Sequence, residues 1–200
     1  MASLFRLELD IEAKKKISLN KNEIDFVRRI TGGGNVFHDS LGEITYSIII
    51  SEDKVPEDIL NSFEFLYKGV VIGLGKLNIF PEFKPLNDLT LNSKKISGSA
   101  QTRKNGVILQ HGTIMYNTNI DIMEKVLKIS NKKIDVKKRV TTLYNEGFSY
   151  DKVTIVDNLK KGFIDIFGKI KEDKITDQEL ELAKKLANEK YNSINWNFRR

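Results

Sequence analysis

The chain has 200 residues, 40% hydrophobic and 30% charged, which is enough for one substantial core and too few for two large ones. It contains no cysteine, which excludes disulfides, thiolate metal sites and cysteine nucleophiles, and no run of 18 apolar residues, so we expect a cytoplasmic protein without a membrane span. The formal charge of +6 favours anionic partners, but acids alternate with the lysines and no nucleic-acid-binding module is present, so nucleic-acid binding is not expected.

The first half of the chain predicts two strands and a helix. A short buried strand over Ile24–Arg29 ends at three consecutive glycines, and Glu43–Ile50 forms a second strand rich in β-branched and aromatic residues. Pro56 begins the helix, because proline is tolerated in a first turn. The apolar residues of this helix recur at intervals of three and four, which predicts one buried face: Ile59, Phe63, Leu66, Val70 and Leu74.

The second half predicts three strands followed by two helices. Tight turns join the strands, and the second helix carries Leu180, Ala183 and Ala187 on one stripe. The predicted ranges are Leu89–Leu91, Lys95–Ala100 and Gly106–Tyr116 for the strands, and Asp151–Ile170 and Asp177–Asn192 for the helices. No repeat or linker interrupts this order, so we expect a single domain over residues 1–200, of α/β (α+β) class, with a sheet covered by helices.

The segment from Arg28 to Asp39, RRITGGGNVFHD, concentrates glycine, arginine and histidine in one predicted turn. Because Gly32–Gly34 lack side chains, a ligand can approach their backbone N–H groups directly, and such exposed amides bind anions. Arg28 or Arg29 can add a guanidinium to a phosphate or carboxylate. The alternative is a plain turn whose arginines pair with surface acids, and the pattern alone does not separate the two.

Familiar signatures of nucleotide, metal and hydrolase sites are missing from the sequence. Gly75 and Lys76 lack the upstream glycine and the following Ser or Thr of a P-loop, and no GxGxxG occurs. The two histidines, His38 and His111, cannot form HExxH, and no GxSxG marks a serine nucleophile. A bound nucleotide would therefore be held in some other way.

A second polar segment, KKISGSAQTRKNGVILQHGTIMYN, runs from Lys94 to Asn117. Its SGSA portion is small where a strand should carry bulk, which indicates close approach by a ligand or by another backbone. Lys95 enters that portion and can offer a compact positive charge to a carbonyl or phosphate oxygen. Taken singly, Lys95 is more simply interpreted as a surface lysine and His111 as a structural histidine.

Together these segments resemble the lipoate–protein ligase family of the biotin/lipoate ligase superfamily. The matching segments follow the family's order: RRITGGGNVFHD with Asn35 where alanine is common, EITYS at 43–47, ND at 87–88, KISGSAQ at 95–101 and QHGT at 110–113, with weaker matches at 139–143 and 196–198. The resemblance implies a mixed β-sheet flanked by helices.

The same resemblance implies a reaction in two steps. Lipoate first attacks the α-phosphate of ATP, with Mg²⁺, to give lipoyl-AMP and pyrophosphate. A lysine on a lipoyl carrier domain then attacks the mixed anhydride. The implied carriers are the acyltransferase subunit of a 2-oxoacid dehydrogenase and the glycine-cleavage carrier protein, which stay equally open.

Carried over by position, Lys95 would be the catalytic residue and would contact both the lipoyl carbonyl and the phosphate. Arg29 and Gly34–Phe37 would contact the adenylate. The whole implied set of substrate- and nucleotide-binding residues is Arg29, Gly32, Gly33, Gly34, Asn35, Val36, Phe37, His38, Asp88, Gly98 and His111, and no metal ligands are assigned. Fixed amides and a fixed ammonium also suit this chemistry independently, because acyl adenylation spreads negative charge over phosphate and carbonyl oxygens.

The chain departs from the family pattern at both ends. Only 27 residues precede Arg28, where family members usually carry a helix and strand that form part of the lipoyl tunnel. The chain stops at Arg200, near where the accessory C-terminal domain of many bacterial ligases begins. We therefore expect an acyl pocket that is incomplete, or one whose missing elements come from another chain, a neighbouring subunit or an upstream sequence. We also expect adenylation that depends on a separate accessory polypeptide.

Two alternatives to a self-sufficient ligase follow from these departures. One is a lipoyl or octanoyl transferase, and the other is a noncatalytic module that binds lipoyl-AMP and needs a partner for turnover. Related acyltransferases that form an acyl-enzyme use a cysteine, so the lack of cysteine favours the adenylate route. The signature expected of a biotin ligase is missing.

Overall fold

The computed structural model describes residues 27–127, 135–169 and 171–199. Within these ranges the chain forms two compact units. The first unit consists of residues 27–37 and 171–199, and the second consists of residues 38–127 and 135–169.

A five-stranded sheet forms the second unit, in the order β1-β5-β4-β3-β2. Its strands are β1 (Glu43–Ser51), β2 (Glu82–Lys84), β3 (Asp88–Leu91), β4 (Lys94–Lys104) and β5 (Val107–Met115). Neighbouring strands are antiparallel, and one isolated parallel bridge joins Lys95 to Val140. The predicted second strand and the three later strands are confirmed, whereas the three-residue β2 was not predicted.

Four helices belong to the same unit: α1 (Ile59–Gly75), α2 (Ile120–Val126), α3 (Val136–Arg139) and α4 (Lys152–Phe167). Each begins after an Asp or Asn whose side chain accepts a hydrogen bond from a backbone N–H of the first turn. For α1 this residue is Asp58, so the helix begins at Ile59 and the prediction that it starts at Pro56 is wrong by one turn. The two long helices were predicted from periodicity, and the short α2 and α3 were not.

The buried face of α1 differs from the prediction in its first turn. Leu66, Val70 and Leu74 are fully buried, as predicted, but Ile59 is 59% exposed. Ser62 takes the buried position instead, because its hydroxyl accepts a hydrogen bond from Arg103 and donates one to the backbone oxygen of Ile59. A polar residue that satisfies its hydrogen bonds can therefore replace an apolar one at the end of a buried stripe.

Helices α1 and α4 cross at three glycines. A Cβ on Gly162 would clash with the carbonyl oxygen of Gly69 and lie 2.5 Å from the amide nitrogen of Gly73. A Cβ on Gly73 would lie 2.7 Å from the Cα of Leu159. The two backbones are thus in direct contact, which brings α4 close enough for Ile155 and Leu159 to join the core with Leu74 and Ile114.

The first unit contains α5 (Asp177–Leu186), a π-helical turn (Ala187–Tyr191) and α6 (Ile194–Asn197). A capping box between Thr176 and Glu179 begins α5. The predicted helix is therefore confirmed, but none of the α5 residues is buried by the part of the chain that the structure describes, and Leu180 is exposed.

Two further predictions fall partly outside the described residues. Ile24 to Phe26 of the first predicted strand lie outside them, and residues 27–29 are not part of a strand, so the predicted strand is wrong where it can be compared. Ile170, the last residue of the helix predicted over Asp151–Ile170, also lies outside the described residues.

The predicted fold class, a sheet flanked by helices in an α/β protein, is confirmed. Among the helices described, none has both the length and the apolar composition needed to cross a membrane.

Candidate active site

The glycine loop of the first unit is organised around the Arg29 side chain. The Nε and Nη2 atoms of Arg29 donate hydrogen bonds of 3.2 and 2.7 Å to the carbonyl oxygen of Gly32, and Nη2 donates another of 3.0 Å to that of Gly34. Gly33 has a φ of 102°, which strongly favours glycine. The guanidinium therefore lies inside the loop, and Arg29 is only 3% exposed.

This arrangement fixes the direction of two backbone N–H groups. The C=O of one residue and the N–H of the next share a planar trans peptide and point in opposite directions. Because the carbonyls of Gly32 and Gly34 point at Arg29, the N–H groups of Gly33 and Asn35 point away from it. Since Gly33 and Gly34 are exposed, this surface can bind an anion through backbone amides.

The three residues that follow the glycines differ in burial. Asn35 and Val36 are half-buried, and Phe37 is buried. The Oδ1 atom of Asn35 is itself buried and has no hydrogen-bond partner in the described part of the chain.

Arg28 is anchored to the C-terminal turn of the same unit. Its backbone N–H donates to Asn197 Oδ1 at 2.8 Å and its Nε donates to the Asn197 carbonyl at 3.1 Å. The indole Nε1 of Trp196 donates to the Arg28 carbonyl at 2.7 Å. The two arginines of the motif therefore have different structural roles, and the weak sequence match at 196–198 marks the segment that contacts the first of them.

In the second unit, Lys95 and Asp88 form an ion pair above Gly98. The Lys95 Nζ lies 2.6 Å from Asp88 Oδ1. Asp88 and Gly98 are opposite each other on β3 and β4, and a Cβ on Gly98 would lie 2.7 Å from the Lys95 Nζ. Glycine at position 98 thus provides the space in which the ammonium group lies along the sheet.

The register of the sheet shows which residues share this face. Gly98 is opposite Thr113 on β5, and Thr113 is opposite Thr45 on β1. The next row on the same face contains Ala100, His111 and Ser47. The face therefore carries small and polar side chains beside Lys95, and only Thr113 among these rows is buried.

On the opposite face, buried polar groups hold the start of β3 against β4. The Tyr67 hydroxyl of α1 donates to the carbonyl of Asn87 at 2.8 Å, and the Asn87 side chain donates to the Ser99 carbonyl. The Ser99 N–H returns a bond of 3.0 Å to the Asn87 carbonyl. Burial raises the pKa of Tyr67 to about 12, so its hydroxyl remains a donor at neutral pH. Asp88, the next residue, is thereby placed opposite Gly98.

His38 and Asp39 stabilise the segment that enters β1. His38 Nδ1 is hydrogen-bonded to Glu43, and burial raises the pKa of the Glu43 carboxyl while the His38 contact opposes that rise. Asp39 accepts bonds from the N–H groups of Leu41, Gly42 and Asn119. Burial alone would raise the pKa of Asp39, but these backbone bonds outweigh it and the pKa is lowered.

The predicted site residues therefore fall into two groups. Arg29 and the residues from Gly32 to Phe37 belong to the first unit, and the structure brings Arg29 together with Gly32, Gly33 and Gly34. The remaining predicted residues belong to the second unit: His38, Asp88, Lys95, Gly98 and His111. Of these, Asp88, Lys95 and Gly98 are in contact, and His111 shares their face one row away.

Several residues that support the site were missed as site residues. Tyr67 and Asn197 lie far in sequence from the groups they hold, and no local pattern identifies such contacts. The described residues also contain no group of three or more His, Cys, Asp or Glu side chains that could hold a metal ion.

Comparison with known protein families gives one match that covers most of the chain. Residues 10–164 match the lipoyl protein ligase A/B catalytic domain.

Two relatives of this chain are named for two different activities. The chain is 32% identical to lipoate–protein ligase 1 of Staphylococcus aureus over 198 residues, covering 95% of this chain and 58% of that protein. It is 33% identical to the octanoyltransferase LipM of Clostridioides difficile over 226 residues, covering 98% of this chain and 80% of that protein. The chain thus spans little more than half the length of the first relative.

Two solved structures have folds similar to that of this chain. One is a lipoate–protein ligase A bound with ATP, with a TM-score of 0.85 and 28% identity over 98% of this chain and 81% of that chain. The other belongs to the archaeal lipoylation system of Thermoplasma acidophilum, described as a bi-partite lipoate protein ligase and its E2 lipoyl domain. It has a TM-score of 0.80 and 30% identity over 90% of this chain and 72% of that chain.

Proposed function

The chain belongs to the lipoyl protein ligase A/B catalytic domain family, and from that premise we propose that it activates lipoate with ATP and transfers the lipoyl group to a lysine of a carrier domain. The observation that carries the proposal is Lys95, held by Asp88 above Gly98 on a face lined with small residues. A relative named for ligation and a similar structure bound with ATP support the use of ATP.

In the proposed first step, a carboxylate oxygen of lipoate attacks the α-phosphorus of ATP. The bond between the α-phosphorus and the bridging oxygen breaks, and pyrophosphate leaves. Lys95 would contact the lipoyl carbonyl and the phosphate, where negative charge develops. Asp88 holds the Lys95 ammonium by an ion pair, so little reorganisation is needed when that charge appears.

In the proposed second step, the neutral amine of the carrier lysine attacks the carbonyl carbon of lipoyl-AMP. The bond from that carbon to the phosphate oxygen breaks, AMP leaves, and the amine proton passes to solvent. Lys95 again stabilises charge on the carbonyl oxygen. The N–H groups of Gly33 and Asn35, which point away from Arg29, would bind adenylate oxygens.

Substrates and partners follow the same proposal. ATP would enter with Mg²⁺ as its substrate complex, because phosphate oxygens are ligands that Mg²⁺ prefers. The acceptor would be a lipoyl carrier domain of a 2-oxoacid dehydrogenase or of the glycine-cleavage system. Because one similar structure is a bi-partite ligase, we propose a separate accessory polypeptide as a second partner. A cytoplasmic location stays part of the proposal.

Octanoyl transfer is the second candidate, because several relatives are named octanoyltransferases. The family resemblance implies a cysteine nucleophile for transferases that form an acyl-enzyme, and this chain has none. We therefore favour the adenylate route, and a module that binds lipoyl-AMP and depends on a partner remains as the third outcome of the test.

The test compares Lys95→Ala with its exposed neighbour Lys94→Ala as the matched control. Wild type and Lys94→Ala should form lipoyl-AMP from MgATP and lipoate, with the accessory polypeptide added where needed, and Lys95→Ala should lose at least about 100-fold of that rate. The carrier's mass should increase by one lipoyl group. If the carrier is lipoylated only when preformed lipoyl-AMP is supplied, the chain is a transferase or a partner-dependent enzyme and not a self-sufficient ligase. Adenylation by Lys95→Ala at the wild-type rate would refute the role of Lys95.

A further inference from the structure

We propose that Trp196 and Asn197 are positioning residues for the glycine loop: they fix the backbone at Arg28 so that Arg29 can hold the loop open for an anion. The proposal deepens the proposed function, because it assigns the adenylate-binding geometry of that loop to a turn about 160 residues away. This turn lies beyond residue 164, where the match to the family's catalytic domain ends.

The first support is that every polar backbone atom of Arg28 is used by the turn. Asn197 Oδ1 accepts from its N–H at 2.8 Å, and Trp196 Nε1 donates to its C=O at 2.7 Å. The side chain adds a bond from Nε to the Asn197 carbonyl at 3.1 Å. Three bonds in three directions fix both peptide planes that flank Arg28, and Arg29 begins at the second of these planes.

The second support is that the turn is itself rigid. Asn197 Nδ2 donates to the Tyr191 carbonyl at 2.7 Å, and Ser193 caps α6 by accepting from the Trp196 N–H. The Trp196 ring has the Lys190 ammonium 4.1 Å and the Arg199 guanidinium 3.6 Å from its centre, and the Tyr191 ring meets it edge to face. These contacts hold the indole, so its N–H stays aimed at the Arg28 carbonyl.

The third support is that Arg29 depends on the angle at which the chain leaves Arg28. Its guanidinium makes three bonds to the carbonyls of Gly32 and Gly34, and these bonds determine the direction of the loop N–H groups. A rotation of the backbone at Arg28 would move the guanidinium away from both carbonyls. The loop would then lose its arrangement of amides although no residue of the loop had changed.

The experiment uses the full chain with three variants. Trp196→Phe keeps an aromatic ring beside the two cations but removes the N–H donor, and Asn197→Ala removes both side-chain bonds. Ile194→Ala is the control on the same turn because residue 194 is 76% exposed. Two quantities are measured: amide hydrogen exchange of peptides covering 30–37 and β5, and the affinity for a nonhydrolysable sulfamoyl analogue of lipoyl-AMP.

We expect faster exchange in 30–37 but not in β5 for both test variants. Affinity for the analogue should fall about 5-fold in Trp196→Phe and at least about 10-fold in Asn197→Ala, which removes the side-chain acceptor of the Arg28 N–H and the bond to Tyr191. Ile194→Ala should match the wild type in both measurements. Analogue affinity that falls while the exchange of β5 stays unchanged separates positioning from general destabilisation.

The remaining outcomes count against either the positioning role or the proposed function. Unchanged exchange in 30–37 for Asn197→Ala, or an equal increase in 30–37 and β5, overturns the positioning role. If the wild type does not bind the analogue, the proposed function fails, while the exchange measurement still shows whether the turn positions the loop.

Discussion

Gly98→Ala should damage catalysis and leave the fold intact. The added methyl would lie 2.7 Å from the Lys95 Nζ, where ordinary contact needs about 3.4 Å, so the ammonium must move by about 0.7 Å. The nearest atoms belong to the flexible end of a lysine side chain and not to the backbone, so the strand can stay in register. The predicted perturbation is therefore a displaced ammonium.

The expected magnitude follows from that displacement. A shift of 1 Å in a positioned group costs on the order of 100-fold in rate. On the proposed function, we therefore expect lipoyl-AMP formation to slow between about 10-fold and about 100-fold. The ion pair with Asp88 contributes little to stability, because the side chains of Lys95 and Asp88 are 37% and 32% exposed and such pairs are worth about 0–1 kcal/mol. Activity and stability should therefore separate.

The assay is pyrophosphate release in a single turnover with saturating MgATP and lipoate, beside a thermal melt. Gly75→Ala is the control, because its Cβ would have no neighbour closer than 3.8 Å. Gly98→Ala turning over at the wild-type rate with an unchanged melting temperature would refute the inference that Gly98 provides space for the Lys95 side chain.

Three further predictions concern stability. Gly162→Ala should lower the free energy of unfolding by about 2–3 kcal/mol in chemical denaturation, because its Cβ would meet the backbone of α1, while Gly75→Ala should cost less than about 1 kcal/mol; equal losses would contradict the glycine crossing. The pKa of Tyr67 in the folded protein lies above the unfolded value of 10.0. The contribution of this burial to the free energy of unfolding is therefore fully present below pH 10, and about 2–3 kcal/mol of it is lost as the pH rises through about 12. Alkaline titrations of unfolding should show a smaller loss in Tyr67→Phe, and an identical loss would argue against its burial as the cause. Asp39→Asn should cost about 1–3 kcal/mol at pH 7, since an amide NH₂ cannot accept the Asn119 N–H, and the difference from wild type should shrink as pH falls below 4 and Asp39 becomes protonated.

Local sequence patterns predicted four of the five described strands and the place of Lys95 on one of them, because alternation and small residues act over a few positions. They did not predict that Arg29 turns inward, since that depends on the positive φ of Gly33 and on carbonyls three and five residues ahead. Asn197 could not be linked to Arg28 from spacing, because 169 residues separate them. Ser62 on the buried face of α1 depended in the same way on Arg103 from a distant strand.

The anchored indole also gives this protein a built-in optical probe. Trp196 is the single tryptophan in the chain, and its N–H bonds the carbonyl that precedes Arg29 while two cations lie against its ring. Tryptophan emission therefore reports from one known position next to the glycine loop, with no label and no background from a second indole. A titration with nucleotide, followed by the wavelength and intensity of that emission, would test directly whether the loop becomes occupied, as proposed.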